Sequence, residues 1–185
     1  MSKFLLGWIS AAVMATSPAL ADQNCQDLCQ ASFYQTATAD SVQQMLNQGA
    51  LATATDSAGK TPLHWVAQAR PGVIHALIAA GGDVNAKDDL DRTPFHFISA
   101  ASSPEIVALF LQAGADVNAR TANDWTPLHG VAKFGSAENI AILIEAGADT
   151  TAINQMGETP FDLAKGNTRV NPSPEFEALE AAAKP

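Results

Sequence analysis

One short phrase recurs four times in this chain at a nearly constant spacing. Residues 61–64, 93–96, 126–129 and 159–162 read Thr-Pro-Leu-His, Thr-Pro-Phe-His, Thr-Pro-Leu-His and Thr-Pro-Phe-Asp. Their first residues are 32, 33 and 33 positions apart. A period of this length is typical of stacked supersecondary units that bury a continuous core between neighbours. Because stacked units form long surfaces, the period favours a binding function over a catalytic pocket.

A second landmark keeps the same period and predicts how each unit is built. A glycine follows an apolar run at Gly49, Gly81, Gly114 and Gly147. Such a glycine suits the left-handed residue that ends a helix, and each Thr-Pro pair suits a helix start. Thr38, Ser103 and Ser136 are expected to cap a second helix, whereas Arg70 offers no cap. Each unit therefore reads as helix, turn, helix and extended hairpin. The second unit is one residue shorter than the others, and the loop between its helices is the expected place of the deletion.

Three columns of apolar residues recur on the predicted second helices at helical spacing, and we expect all of them to be core. The columns are Val42, Ile74, Val107 and Ile140; Met45, Leu77, Phe110 and Leu143; and Leu46, Ile78, Leu111 and Ile144.

The combined pattern resembles the ankyrin repeat. The fullest copy of its second half is Gly-Ala-Asp-Val-Asn-Ala at 114–119, with partial copies at 81–86 and 147–152, and the resemblance covers about residues 28–165. It implies an all-α solenoid of about four to five repeats including caps, with paired antiparallel helices and projecting hairpins. It also implies a non-enzymatic protein-binding role without cofactors. The motif residues would tie each repeat together by hydrogen bonds: Thr61, His64, Thr93, His96, Thr126 and His129.

The landmarks also suggest boundaries along the chain. We expect a signal peptide at 1–21, an N-terminal capping repeat with a cysteine pair at 22–60, and repeats at 61–92, 93–125 and 126–158. A C-terminal capping repeat and polar tail would occupy 159–185, because Asp162 replaces the motif histidine there. Asp91 and Asp124 stand where a hairpin tip usually carries glycine, a position that asparagine and aspartate tolerate.

The first residues have the layout of a secretory signal peptide. Lys3 precedes an apolar stretch from residue 4 to about residue 15, and Ala19-Leu20-Ala21 offers a cleavage site before Asp22. The stretch is too short to span a bilayer, so we expect no membrane insertion after cleavage. The pattern predicts an exported chain of bacterial type that is periplasmic or, alternatively, secreted.

Cys25 and Cys29 follow directly after the expected cleavage site. In an oxidising compartment such a pair usually forms a disulfide, and this spacing places both on one helical face. A redox or metal-handling role is the alternative. It is disfavoured because a thioredoxin-like motif has two intervening residues, whereas Gln26, Asp27 and Leu28 make three here.

Charge and composition exclude several functions. The net charge of −9 repels phosphate backbones, which argues against nucleic acid as a partner. The motif histidines would lie about 10 Å apart, too far to share a metal ion. No nucleophile elbow or phosphate-binding glycine loop is present. We interpret the acidic run of Asp88, Asp89 and Asp91 as a solvated hairpin tip.

Partner contacts are expected on the hairpin tips and the exposed end of the first helices, which line the concave face in the ankyrin family. The candidates are Asp89, Leu90, Arg92, Asn123, Trp125, Lys133, Phe134 and Met156. Trp125 is the most informative, because its counterparts Lys60, Arg92 and Glu158 are charged and an exposed aromatic residue anchors interfaces. Trp65 is expected to be mostly core. The leading hypothesis is a monomeric exported module that binds another protein; self-association is a weaker one.

Overall fold

The computed structural model of this chain describes Cys25 and residues 27–183. The expected signal peptide at 1–21 lies outside the described residues. Within them, nine α-helices and two 3-10 helices follow one another. The α-helices are α1 (Ala31–Tyr34), α2 (Ala39–Asn47), α3 (Pro71–Ala79), α4 (Pro94–Ala101), α5 (Pro104–Gln112), α6 (Pro127–Phe134), α7 (Ala137–Glu145), α8 (Pro160–Ala164) and α9 (Pro174–Ala182). The 3-10 helices span Asp27–Cys29 and Pro62–Gln68.

The helices stack in two layers, as expected for an all-α solenoid. In one layer α1 contacts the Pro62–Gln68 helix, which contacts α4, followed by α6 and α8. In the other layer α2 contacts α3, and α5 contacts α7, which contacts α9. Each layer therefore buries its apolar stripes between repeats, as the nearest-neighbour interfaces of a repeat protein require.

Helix starts and ends follow the sequence landmarks. Pro62, Pro94 and Pro127 each occupy the first turn of a helix behind an extended threonine. The four glycines that end the second helices all have positive φ, between 88° and 102°. Ser136 accepts a hydrogen bond from the amide of Asn139, whereas Arg70 and Ser103 form no side-chain cap. The expectation of a cap is therefore wrong for Ser103.

The deletion in the second unit falls in a helix and not in the loop where we expected it. The loop before α3 has two residues, Ala69 and Arg70, like the loops before α5 and α7. The Pro62–Gln68 helix has 7 residues, whereas α4 and α6 have 8, and Val66 leaves helical geometry. A 3-10 helix rises about 2.0 Å per residue against about 1.5 Å in an α-helix, so the tighter winding compensates for the missing residue.

The apolar columns differ in burial. Val42, Ile74, Val107 and Ile140 are fully buried, and so are Leu77, Phe110 and Leu143 in the second column. Met45 and the whole third column, which includes Leu111, are only half-buried and pack against the edge of the core. The third column is therefore the edge of the core and not part of its fully buried centre, where the first column and most of the second lie.

Both ends of the stack are closed by additional contacts. Cys25 and Cys29 form a disulfide with Cα atoms 5.1 Å apart, and both residues are buried. At the other end α9 contacts α7 and α8, and its Leu179 is fully buried. Among the described residues, none of the helices is both long and apolar enough to cross a membrane.

Candidate partner-binding groove

Side-chain oxygens at four equivalent positions hold the hairpin tips. They belong to Asp56, Asp88, Thr121 and Asn154, and each accepts hydrogen bonds from the amides two and four residues later. In each hairpin, the residue three positions after this oxygen-bearing residue has positive φ. Asp91 has a φ of 56° and Asp124 a φ of 58°. This geometry bears out the expectation that aspartate can replace glycine there. The described hairpins contain no β-strand; these turns fix them instead.

Neighbouring tips are joined by backbone hydrogen bonds. The amide of Asp89 donates to the carbonyl oxygen of Ala58 at 3.1 Å, and the amide of Ala122 donates to that of Leu90 at 2.9 Å. The amide of Gln155 donates to the carbonyl oxygen of Asn123 at 3.2 Å. The hairpin tips therefore form one continuous wall. Because the backbones of neighbouring tips are hydrogen-bonded, the distance between one tip and the next is fixed.

A concave groove of about 920 Å³ lies between this wall and the first helices. We call it the concave groove. Its lining includes Lys60, Trp65, Leu90, Arg92, Phe97, Asn123, Trp125, Gly130, Phe134 and Arg169. The groove has the size of a ligand-binding cleft and combines aromatic surface with a few charged groups, as binding sites commonly do.

Trp125 lies at one side of the groove but is less exposed than its charged counterparts suggested. Its ring is half-buried and packs 5.9 Å from the ring of His129. The Lys133 ammonium lies 5.3 Å from the Trp125 ring centre and 5.5 Å from that of Phe134. Phe134 is 57% exposed. The more solvent-exposed aromatic surface at this side therefore belongs to Phe134.

Trp65 lies at the other side, and its interpretation as mostly core is wrong. It is half-buried and lines the groove, with the Lys60 ammonium 4.6 Å from its ring centre. The same ammonium lies 4.8 Å from the ring of Phe97. The indole Nε1 is enclosed and has no hydrogen-bond partner among the residues that the structure describes. The sequence contained a signal for this position, because the residue type changes from repeat to repeat there, as it does at the Trp125 position. The equivalent residues are Trp65, Phe97, Gly130 and Leu163.

Arg92 is already engaged by an acidic residue. Its guanidinium lies 2.7 Å from the carboxylate of Asp88 and 5.1 Å from the ring of Phe97. Burial alone would raise the pKa of Asp88, but hydrogen bonds from the Arg92 side chain and backbone hold it below its ordinary value. The interpretation of the acidic run as solvated is therefore wrong for Asp88, whose side chain is fully buried.

The predicted contact residues divide between the groove and the outer tips. Leu90, Arg92, Asn123, Trp125 and Phe134 line the groove, and Lys133 covers two of its rings. Asp89 and Met156 are exposed on tips and are not among the lining residues. Sequence reasoning did not select Lys60, Trp65, Gly130 or Arg169, although the variable columns contained the first three.

The motif histidines join each helix start to the next hairpin. Nδ1 of His64 accepts a hydrogen bond from the amide of Thr61, and its Nε2 lies 3.0 Å from the carbonyl oxygen of Arg92. His96 and His129 make the same pair of contacts in their repeats. An Nδ1 that accepts requires an Nε2 that donates, so each ring is the neutral Nε2–H form. Burial lowers the pKa of all three histidines below 6.5.

Asparagine side chains form further links that the sequence pattern did not reveal. Asn85 accepts from the amide of Asp116 and donates to the carbonyl oxygen of Gly114. Asn118 repeats this arrangement one unit later. Asn139 and Asn167 each donate to two carbonyl oxygens at the end of the preceding unit's first helix. Asn85 and Asn118 recur at the repeat spacing of 33 residues, which was the available signal, whereas Asn139 and Asn167 are 28 residues apart.

Comparison with known proteins agrees with this geometry. The sequence matches the family described as ankyrin repeats (3 copies) over residues 28–121 and 95–171. The chain belongs to the ankyrin-repeat family. Ankyrin repeats generally serve as non-enzymatic modules that bind other proteins.

A curated relative shares part of these ankyrin repeats. The chain is 41% identical over 68 residues to the Neurogenic locus Notch protein of Drosophila melanogaster. These 68 residues are 36% of this chain. The aligned segment spans only 2% of the Notch protein. The similarity therefore concerns only a short segment of that protein.

Proposed function

We propose that this ankyrin-repeat protein is an exported, monomeric and non-catalytic module that binds another protein in the concave groove. The observation that carries the proposal is the aromatic lining formed by Trp65, Phe97, Trp125 and Phe134. Aromatic residues are enriched where protein interfaces gain most of their binding energy. Family membership supports the same role, since ankyrin repeats generally bind proteins.

Export is supported by the arrangement of the first residues. The positive start, the short apolar stretch and the Ala19-Leu20-Ala21 site match a secretory signal peptide. The disulfide between Cys25 and Cys29 fits an oxidising compartment such as the periplasm, with secretion as the alternative.

A redox role for Cys25 and Cys29 has less support. Both residues are buried, at 5% and 8% exposure, whereas reactive cysteines need solvent access. Cys29 Sγ also lies 3.3 Å from the carbonyl oxygen of Lys60, next to the groove wall. We therefore interpret the pair as a structural link at the N-terminal end of the stack.

The proposal is tested by site-specific photocrosslinking of the mature chain in its exported fraction. A photoreactive amino acid replaces Phe134 in the groove or, as the matched control, Leu51, which is 58% exposed and lies outside the groove lining. We expect a crosslinked protein partner from position 134 and none from position 51. Equal crosslinking at both positions, or a homodimer from position 134, would contradict the proposal.

A further inference from the structure

We propose that the concave groove binds an acidic peptide segment of its partner, with an apolar side chain seated beside Gly130 and carboxylates at Lys60 and Lys133. This inference rests on the proposed function and specifies the chemistry of the partner. It follows from the charges around the groove, the cations over its rings and the space at Gly130.

The charge of the groove is opposite to that of the whole chain. The chain has a net charge of −9, yet the described residues that line the groove include Lys60, Arg92 and Arg169 and no aspartate or glutamate. Lys133 adds a further cation over the rings of Trp125 and Phe134. An acidic segment would therefore be attracted to the groove and repelled by most of the remaining surface.

Two of these cations have no carboxylate partner within the described part of the chain. Arg92 pairs with Asp88, but Lys60 and Lys133 form no ion pair with a described residue. Each lies instead over two aromatic rings, at 4.6 and 4.8 Å for Lys60 and at 5.3 and 5.5 Å for Lys133. These cation–π contacts hold the Lys60 ammonium in the groove and the Lys133 ammonium over two rings that line it, where both can meet carboxylates of a bound segment.

Gly130 leaves room for the apolar part of the segment. It lies within α6, where its backbone φ is not positive, and its column holds Trp65, Phe97 and Leu163 in the other repeats. A Cβ added to Gly130 would meet the carbonyl oxygen of His96 at 3.5 Å, an ordinary contact. Neither the backbone nor a close approach requires glycine here, although glycine weakens a helix interior. The missing side chain opens the groove between the two aromatic sides.

The first test is selection from a random peptide library displayed on phage, with the mature chain immobilised. We expect selected peptides to be enriched in aspartate and glutamate beside an apolar residue. Gly130→Leu restores a side chain that the column carries in another repeat, so it should fold while it fills the groove. Gly130→Leu is expected to abolish the enrichment, and Gly72→Leu, the matched control at an exposed glycine of α3 outside the groove lining, to retain it.

The second test measures a selected acidic peptide by fluorescence anisotropy. Lys60→Gln combined with Lys133→Gln should weaken binding by about tenfold or more, and added salt should weaken binding to the wild type. Lys87→Gln, which removes a hairpin lysine outside the groove that pairs with Asp91, should have little effect. Circular dichroism confirms that each variant folds.

The outcomes separate this inference from the proposed function. Basic or neutral selected peptides, no enrichment at all, or enrichment that survives Gly130→Leu would overturn the acidic-segment inference. A protein crosslinked only at position 134 would still support the proposed function in each of these cases. Conversely, crosslinking that does not depend on position would contradict the proposed function whatever the peptides contain.

Discussion

His64 Nε2 lies 3.0 Å from the carbonyl oxygen of Arg92, so one side chain joins the start of a helix to the end of the following hairpin. Its Nδ1 meanwhile accepts the amide of Thr61. The same double contact recurs at His96 and His129. With both ring nitrogens in hydrogen bonds, these histidines align the hairpin wall with the first helices and so shape the groove between them.

Replacing one of these histidines should cost considerable stability. His129→Ala would leave the amide of Thr126 without a partner and would remove one of the two hydrogen bonds to the carbonyl oxygen of Glu158, which keeps the amide of Asn154. Since an unsatisfied buried group costs about 1–3 kcal/mol and a lost hydrogen bond about 0.5–1.5 kcal/mol, we expect a loss of about 2–4 kcal/mol in urea unfolding. His75→Ala is the control, because His75 is exposed on α3 and should change stability by less than about 0.5 kcal/mol. Equal effects of the two substitutions would show that the histidine links are not important for stability.

Stability should fall in mildly acidic solution because of the same residues. Burial lowers the folded-state pKa of His64, His96 and His129 below 6.5, so the unfolded chain binds protons more readily. Their contribution is present above about pH 6.5 and is lost as the pH falls toward the folded-state pKa values. Urea midpoints measured from about pH 7.5 to about pH 5 should decline. A flat profile over that range would contradict the prediction.

Carboxylates should make stability depend on pH in a lower range than the histidines do. The Lys165 side chain and Thr159 hold the pKa of Asp162 at about 2, and hydrogen bonds hold the pKa of Asp88 below its ordinary value despite burial. Stabilisation from a carboxylate with a lowered pKa is present above the unfolded value and disappears below it. A second decline is therefore expected below about pH 4. Asp88→Asn should reduce that decline, as measured by the same urea titration.

Core truncations should separate the apolar columns. Leu143 is fully buried, so Leu143→Ala should cost about 2–5 kcal/mol. Leu111 is half-buried at the edge of the core, and Leu111→Ala should cost clearly less. Thermal and urea unfolding of both variants give the comparison. Similar losses for the two would mean that the third column is as important to the core as the second.

Substitution by alanine should have opposite effects on stability at Gly130, which lies within α6, and at Gly135, which follows it. Gly130→Ala introduces only an ordinary contact with His96 and should raise stability by about 0.5–1 kcal/mol, because alanine favours helices. Gly135→Ala would place a Cβ 2.8 Å from the carbonyl oxygen of Val131 and should destabilise the chain. Melting temperatures of the two variants test this. Destabilisation by Gly130→Ala would show that its neighbours cannot accept a methyl group.

Repetition in the sequence was enough to predict the fold. The phrase that begins with Thr61 and the glycine series from Gly49 recur because every unit must start and end its helices in the same way. Their spacing therefore predicted the solenoid, the left-handed helix ends and the tolerance of aspartate at Asp91 and Asp124. These features depend on local backbone geometry, which individual residues control.

The candidate groove depended on tertiary structure instead. Trp65 and Trp125 are separated by many residues in the chain, and only stacking places both on one groove with Lys60 and Lys133 over the rings. The partial burial of Trp125 likewise arises from packing between units, since its ring lies against His129 and Lys133 of the next repeat. The sequence by itself determined the repeating unit through local helix and turn signals. Only the stacked structure decided which variable residues face one another, because that depends on contacts across repeats.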